Sequence, residues 1–262
     1  MKIAVLGARG FLGKYLTGYL YSVGHTVLPV TRDTVNLENY HLVDHWLETN
    51  RPEVVINCAI SGGGARVNDI NYSDVQRDLG VFMNFYNSAW TGRYINIGSG
   101  AEFDRRHPIT NAVEEDILFN HPLESYGFVK NAISRLCLNR ENFYTLRLFG
   151  CFDRSEPSNR LFKKFLFDKS IVVNDRYFDY ISASDFARII NYYCESNILL
   201  KDINCVYQEK YKLSQILYML DYTSVPNLAG PYLENAYTGL GKKLASLPIE
   251  LMGLEFGLKN YE

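Results

Sequence analysis

No apolar run in this 262-residue chain approaches the length of a membrane span. The opening stretch IAVLGA is only a few residues long and is broken at Arg9. Such a start leaves no room for a secretory leader, so a cytoplasmic protein without a membrane partner is expected. Cysteine is sparse as well. The five cysteines (Cys58, Cys137, Cys151, Cys194 and Cys205) stand far apart, form no CxxC and have no histidine at ligand spacing. Neither a disulfide framework nor a metal site is expected, only isolated buried thiols in a reduced compartment. Charge of one sign is also missing: 27 basic residues face 29 acidic ones, and the densest basic groups are pairs such as Arg105-Arg106, Lys163-Lys164 and Lys242-Lys243. A polyanion such as nucleic acid is therefore not an expected partner.

What is present is alternation. KIAVLG reads as a short buried strand, and Phe11 to Tyr21 as a helix ended by Gly24. HTVLPVT supplies a second strand, Tyr40 to Thr49 a helix closed by Arg51-Pro52, and EVVINCA a third strand. A long helix from about Tyr72 to Trp90 precedes the strand RYINIGS. An irregular stretch around Phe103 to Pro122 leads to a helix from about Glu124 to Asn139 and the strand FYTLRLF. Aliphatic strands alternating with helices imply an α/β protein with a parallel sheet wrapped on both faces. Beyond Gly150 the rhythm weakens. Asn159 to Phe167, Ala183 to Glu195 and Leu213 to Tyr222 read as helices, SIVVN as strand-like, and the remaining tail as polar chain punctuated by Pro and Gly.

Three glycines, Gly7, Gly10 and Gly13, lie at intervals of three between the first strand and the first helix. Glycine permits a tight turn, lets backbone approach a ligand and lets helix pack on strand, while the helix start offers free N–H groups to a pyrophosphate. Phe11 and Leu12 open that helix inside the G-x-x-G-x-x-G set. This pattern at the first strand of the chain points to a dinucleotide. At the end of the second strand stand Thr31, Arg32 and Asp33, and Arg9 lies inside the glycine turn. An arginine there suits the 2′-phosphate of NADP(H); Asp33 offers the carboxylate that the ribose of NAD(H) prefers. The arginines put NADP(H) first, with NAD(H) as the alternative.

A second, independent set is Ser99, at the end of RYINIGS, with Tyr126 and Lys130 four residues apart in YGFVK. Spacing of four puts both side chains on one helix face. An ammonium beside a phenol stabilises the phenolate and helps it exchange a proton. A serine at the C-terminal end of a central strand lies where open sheets place ligands, and its hydroxyl can hold a substrate oxygen against the phenol. Carbonyl reduction by hydride needs such a proton donor.

These residues resemble the extended short-chain dehydrogenase/reductase family of nucleotide-sugar epimerases, reductases and dehydratases, over roughly residues 1–190. GARGFLG resembles its cofactor turn, Asn57-Cys58-Ala59 the loop that passes the cofactor, and Ser99, Tyr126 and Lys130 its catalytic set. Asn84 matches a helical asparagine that braces the sheet core, and Asp185 in YISASD the start of a late helix. GARG, TRDTVNL and AISGGG are similar to the GDP-L-fucose synthase branch; the dTDP-4-dehydrorhamnose reductase branch is comparably short. The resemblance implies a Rossmann-like doubly wound parallel sheet with a small C-terminal substrate lobe. Residues 1–150, completed by about 179–200, would bind NAD(P), and residues 151–178 and 201–262 would form the lobe. It implies that Gly7, Arg9, Gly10, Phe11, Leu12, Gly13, Arg32, Asn57, Ala59 and Lys130 bind the cofactor, that the substrate is a nucleotide sugar, and that helices around 72–90 and 124–140 make a homodimer.

The departures narrow the chemistry. The cysteine that relays protons in fucose synthase falls on Ala101, and its histidine near Asn159 or Arg160; the acidic pair of the dehydratases falls on Gly100-Ala101. The family's Asn-Tyr-Gly before the substrate lobe reads Gly150-Cys151-Phe152-Asp153. Hydride transfer is untouched by these changes, whereas epimerisation by that route and dehydration are disfavoured. Glu102 and Asp104 are placed to touch a sugar hydroxyl or act as an acid, the alternative being solvated loop carboxylates. Arg160, Lys163 and Lys164 are placed to reach a diphosphate or to form a solvated helix face. The expected activity is NADPH-dependent reduction of a 4-keto nucleotide sugar with Tyr126 as proton donor. The rivals are an NAD-retaining 4-epimerase and a catalytically weak cofactor-binding regulator.

Overall fold

The computed structural model describes residues 1–60, 71–223, 226–228 and 236–261. β1 (Lys2–Leu6) runs through the glycine turn into α1 (Phe11–Ser22), followed by β2 (Thr26–Val30), α2 (Tyr40–Asn50) and β3 (Val54–Asn57). Then come α3 (Tyr72–Tyr86), β4 (Arg93–Ser99), β5 (Ile109–Ala112), α4 (Ser125–Leu138) and β6 (Phe143–Leu148). β7 (Cys151–Phe152), α5 (Leu161–Phe167), β8 (Val172–Val173), β9 (Tyr177–Phe178) and β10 (Ile181–Ser182) precede α6 (Ala183–Glu195). The chain ends with β11 (Asp202–Asn204), α7 (Leu213–Leu220), β12 (Asn227–Leu228), β13 (Ala236–Gly239), α8 (Lys242–Ala245) and α9 (Leu254–Lys259).

The main sheet has the order β11-β6-β4-β3-β1-β2 with every neighbouring pair parallel. Period-two geometry divides its side chains. Ile3, Val5, Val54, Ile56, Ile95 and Ile97 pack in one core with Leu16 and Leu20 of α1 and Phe186 and Ile190 of α6. Ala4, Leu6, Val55 and Tyr94 pack in the other, with Val43 of α2, Phe82 and Phe85 of α3, and Val129 and Ile133 of α4. Because helices cover both faces, β1 and β3 read as unbroken aliphatic runs. Pro29 is tolerated in β2 because that strand pairs only with β1, at the sheet edge. The chain steps outward from β1 to β2, then crosses back to β3 on the other side of β1. Their C-terminal ends therefore flank the switch point at which open α/β sheets hold ligands.

Several elements differ from the sequence reading. α3 stops at Tyr86, short of Trp90, whose indole N–H turns back to donate to the Pro52 carbonyl at 2.8 Å. β11, inside the stretch expected in the smaller lobe, adds a sixth strand beside β6. The tail is more than punctuated chain: β13 lies between β5 and β9 in a parallel three-stranded sheet, and α9 places Leu254 and Leu258 in a core with Phe152, Phe162, Ile216 and Leu217. A four-residue strand such as AYTG has no readable period; partners distant in sequence, β5 and β9, create it. Asp185, in the first turn of α6, pins this tail by accepting from the Met252 and Gly253 amides and the Tyr207 hydroxyl. Among the described residues no helix is long and apolar enough to cross a membrane.

Candidate active site

The turn after β1 depends on two glycines. Gly7 has φ +72°, a left-handed conformation that costs other residues about 1–2 kcal/mol, and a Cβ there would lie 2.9 Å from the Ala59 backbone. Gly13 brings α1 against the turn, so closely that a Cβ would come within 2.2 Å of the Gly7 carbonyl oxygen. Gly10 is different: it is exposed, and its nearest obstacle is that same oxygen at 3.3 Å. It stands at the N-cap of α1 with no side chain to accept the first-turn amides, and that turn contains no acidic residue. An uncapped start of a 12-residue helix, opened by an accessible glycine, fits a pyrophosphate by the chemistry of its donors.

Beside this turn, at the end of β2, Arg9 pairs with Asp33 at 2.5 Å, both side chains largely exposed. Arg32 is exposed next to them. The residues read as rivals for two cofactors are thus bonded to each other. Across the switch point Asn57 accepts from the Ala59 amide at 3.1 Å, which fixes the loop on which Gly7 rests. The glycine-rich part of that loop, residues 61–64, lies outside the described residues. A groove of about 460 Å³ opens between the β2–α2 loop and α2, lined by Arg32, Asp33, His45 and Trp46 among others; none of Ser99, Tyr126 and Lys130 lines it.

Tyr126 and Lys130 share one face of α4, the Lys130 Nζ lying 6.0 Å from the Tyr126 ring centroid. Lys130 is 5% exposed, and its ammonium donates to the Ile97 carbonyl of β4 at 2.6 Å. Burial raises the Cys58 thiol, and the Lys130 ammonium opposes that rise. β1, β3 and β4 run parallel side by side, so Gly7, Cys58-Ala59 and Lys130, bonded to Ile97 with Tyr126 beside it, form one wall at the C-terminal edge of the sheet. Ser99 ends β4 next to Ile97-Gly98, and its Oγ accepts from the Ala101 amide at 3.2 Å, capping a short 3₁₀ turn, Gly100–Phe103.

Two neighbours of this wall were not legible in the sequence. Tyr237 comes from β13, and a Cβ on Gly100 would sit 2.9 Å from its Cζ. Burial and then the adjacent Tyr126 raise its hydroxyl pKa, against Ser99 and Arg105. The Arg105 guanidinium lies 5.8 Å from the Tyr126 ring centroid and is held by Glu124, with Nε to Oε1 at 2.6 Å.

Other candidate residues have partners within the chain. Glu102 does not face a ligand: it is fully buried and accepts from the Ser99 amide and from Arg147 Nε, each at 2.7 Å. Asp104 is occupied by Arg106, whose guanidinium holds its carboxyl below the usual range. Asn84 donates to the Leu37 carbonyl at 2.7 Å, bracing the loop after β2 rather than the sheet. Arg160 donates to the Cys151 carbonyl at 2.6 Å and to Glu156 at 3.1 Å, with its guanidinium 5.6 Å from the Phe11 ring centroid at the start of α1. Lys163 lies over the Tyr261 ring, 5.7 Å from its centroid.

With this geometry in place, the relatives are informative. The solved structure of the Bordetella bronchiseptica enzyme WbmG in complex with NAD and UDP superposes with a TM-score of 0.80 at 16% identity, covering 99% of this chain and 92% of that one. A dTDP-4-dehydrorhamnose reductase from Bacillus anthracis in complex with NADP gives a TM-score of 0.81 at 14% identity, over 99% and 96% of the two chains. Protein CapI of Staphylococcus aureus is 25% identical over 228 residues, a match spanning 73% of this chain and 66% of CapI. The profile of one family matches residues 3–205, from the first residues of β1 to just past β11. The chain belongs to the NAD dependent epimerase/dehydratase family.

Proposed function

We propose that this enzyme is an NADPH-dependent reductase of a 4-keto nucleotide sugar. The observation that supports the reading is the wall itself: a lysine joined to β4 sits beside a tyrosine, near the serine that ends β4, at the same edge of the parallel sheet as the glycine turn. The α1 amides would hold the pyrophosphate, Arg9 and Arg32 the 2′-phosphate, Asn57 to Ala59 the loop along the dinucleotide, and Lys130 the nicotinamide ribose. When bound, NADPH supplies a hydride from its nicotinamide C4.

The chain's own work is to hold the ketone and deliver a proton. Ser99 donates its hydroxyl to the ketone oxygen, and Tyr126 gives up its phenolic proton as that oxygen gains charge. Lys130 stabilises the phenolate left behind. Ala101, and Asn159 with Arg160, replace the relay residues of the fucose synthases and cannot act as general bases, which supports reduction without epimerisation. Residues 151–178 and 201–262, apart from β11, would form the lobe that holds the nucleotide sugar. Exposed Tyr72 on α3 and Phe128 on α4 support a homodimer through those helices.

Mass spectrometry of products formed with NADPH from a panel of UDP-, GDP- and dTDP-linked 4-keto sugars tests the reading. Stoichiometric NADPH consumption and a gain of two hydrogens are expected. Retained NAD(H) with unchanged product mass would identify a 4-epimerase instead, and no turnover of any sugar a cofactor-binding protein.

Cofactor choice has its own test in the Arg9–Asp33 pair. Removing the Asp33 charge frees Arg9 and takes a repulsive carboxylate from the 2′-phosphate position. Asp33→Asn should shift the ratio of NADPH to NADH affinity toward NADPH by about tenfold, roughly 1.4 kcal/mol. Both side chains are exposed, so the melting temperature should hardly change. Fluorescence titration of the two cofactors measures the ratio.

A further inference from the structure

Beneath Ser99 lies a charged cluster that the proposed chemistry does not use. Glu102, Arg147 and Asp202 are buried, the first two fully. The Glu102 carboxylate accepts from the Ser99 main-chain N–H through Oε1 and from Arg147 Nε through Oε2. Arg147, on β6, donates its remaining nitrogens to Asn204 and Asp202 of β11, both at 3.0 Å. Burial raises Glu102, with Arg147 opposing; burial alone would lower Arg147, but Asp202 and Glu102 hold its guanidinium above the ordinary value.

Buried ion clusters are weak devices for stability, since desolvation consumes much of the Coulomb attraction. This one also imposes a demand on the neighbouring sequence. A Cβ on Gly98 would lie 2.7 Å from Glu102 Oε1 and equally close to Thr145 Cγ2. The strand before the serine is therefore stripped of a side chain where the carboxylate passes. The same carboxylate closes the 3₁₀ turn that Ser99 caps from the other side.

We propose that Glu102 is a positioning residue for Ser99: locked by Arg147, it clamps the serine main chain and the turn after it, so that the hydroxyl is held toward the ketone oxygen. The proposal rests on the reductase reading above. It places the turn Gly100–Phe103 under the control of β6 and β11, at the far side of the sheet from the glycine turn.

Glu102→Gln is the sharp probe. Its shape is kept, but one amide oxygen must serve two donors, and its NH₂ must face either the Ser99 N–H or the Arg147 guanidinium. Turnover of the 4-keto sugar panel with NADPH should fall by about tenfold or more in kcat, with NADPH affinity unchanged. In a Ser99→Ala background the same substitution should cost nothing further, because the group it positions is gone. In ¹⁵N-serine spectra the Ser99 amide proton should move upfield in Glu102→Gln. Gly98→Ala, which crowds Oε1 and leaves Glu102 in place, should reproduce the turnover loss, and it serves if Glu102→Gln does not fold. An equal loss in both backgrounds, or an unmoved amide with undiminished turnover, overturns the proposal alone. A wild-type enzyme that reduces none of the sugars overturns the reductase reading and this inference with it.

Discussion

Replacing Tyr126 with phenylalanine should lower kcat for keto-sugar reduction by about 10²–10⁴-fold, or roughly 3–5 kcal/mol of barrier, while NADPH binds as before. The ring stays, so its packing beside Lys130 and Arg105 is kept and only the proton donor is lost. Ser99→Ala should cost less, since it removes a hydrogen bond to the substrate oxygen and not the proton. Lys130→Met should impair both binding and turnover, because one ammonium bonds β4, flanks Tyr126 and lies on the proposed ribose path. Single-turnover reduction, with the cofactor Kd measured separately, distinguishes the three. Full kcat in Tyr126→Phe would remove the phenol from the mechanism.

The second large effect belongs to the glycine turn, and a control lies on the same helix. Gly13→Ala places a methyl group 2.2 Å from the Gly7 carbonyl oxygen, a backbone atom that cannot rotate away. α1 must then tilt off the turn, at an overpacking cost of about 1–3 kcal/mol, and its first amides leave the pyrophosphate position. NADPH affinity should fall at least about tenfold, with a lower melting temperature. Gly18→Ala, five residues along α1, meets no atom within 4 Å. It should leave cofactor affinity alone and stabilise the protein by about 0.5–1 kcal/mol through helix propensity. Thermal melts and cofactor titration of the pair separate close packing from a general preference for glycine. Equal behaviour of the two variants would contradict the structural role given to Gly13.

Features written in consecutive residues were legible in the sequence. The glycine spacing fixes strand, turn and helix within a dozen residues, and Tyr126 and Lys130 share a face because four residues nearly complete a helical turn. The core strands were legible for the related reason that burial on both faces removes polar residues. Contacts set by distant partners were not. Tyr237 enters the site only because β13 pairs with β5 and β9, and nothing local in AYTG announces a strand. Glu102 sits three residues after Ser99 and could be read as a ligand-facing acid or a solvated loop carboxylate. Its direction is decided by Arg147, 45 residues later. The Asn84 amide bonds Leu37 on the loop after β2, a partner that no helical period specifies.

The proposed reaction requires that one site bring the nicotinamide carbon, a ketone and the Tyr126 proton together. Reduction with NADPH carrying deuterium in both positions at nicotinamide C4 is the decisive experiment, read by mass and proton spectra of the sugar. The expected product carries a single deuterium on the former ketone carbon, and its formation collapses in Tyr126→Phe. A reduced product without deuterium on that carbon, or a labelled product formed equally well without the phenol, would contradict the assignment of this site.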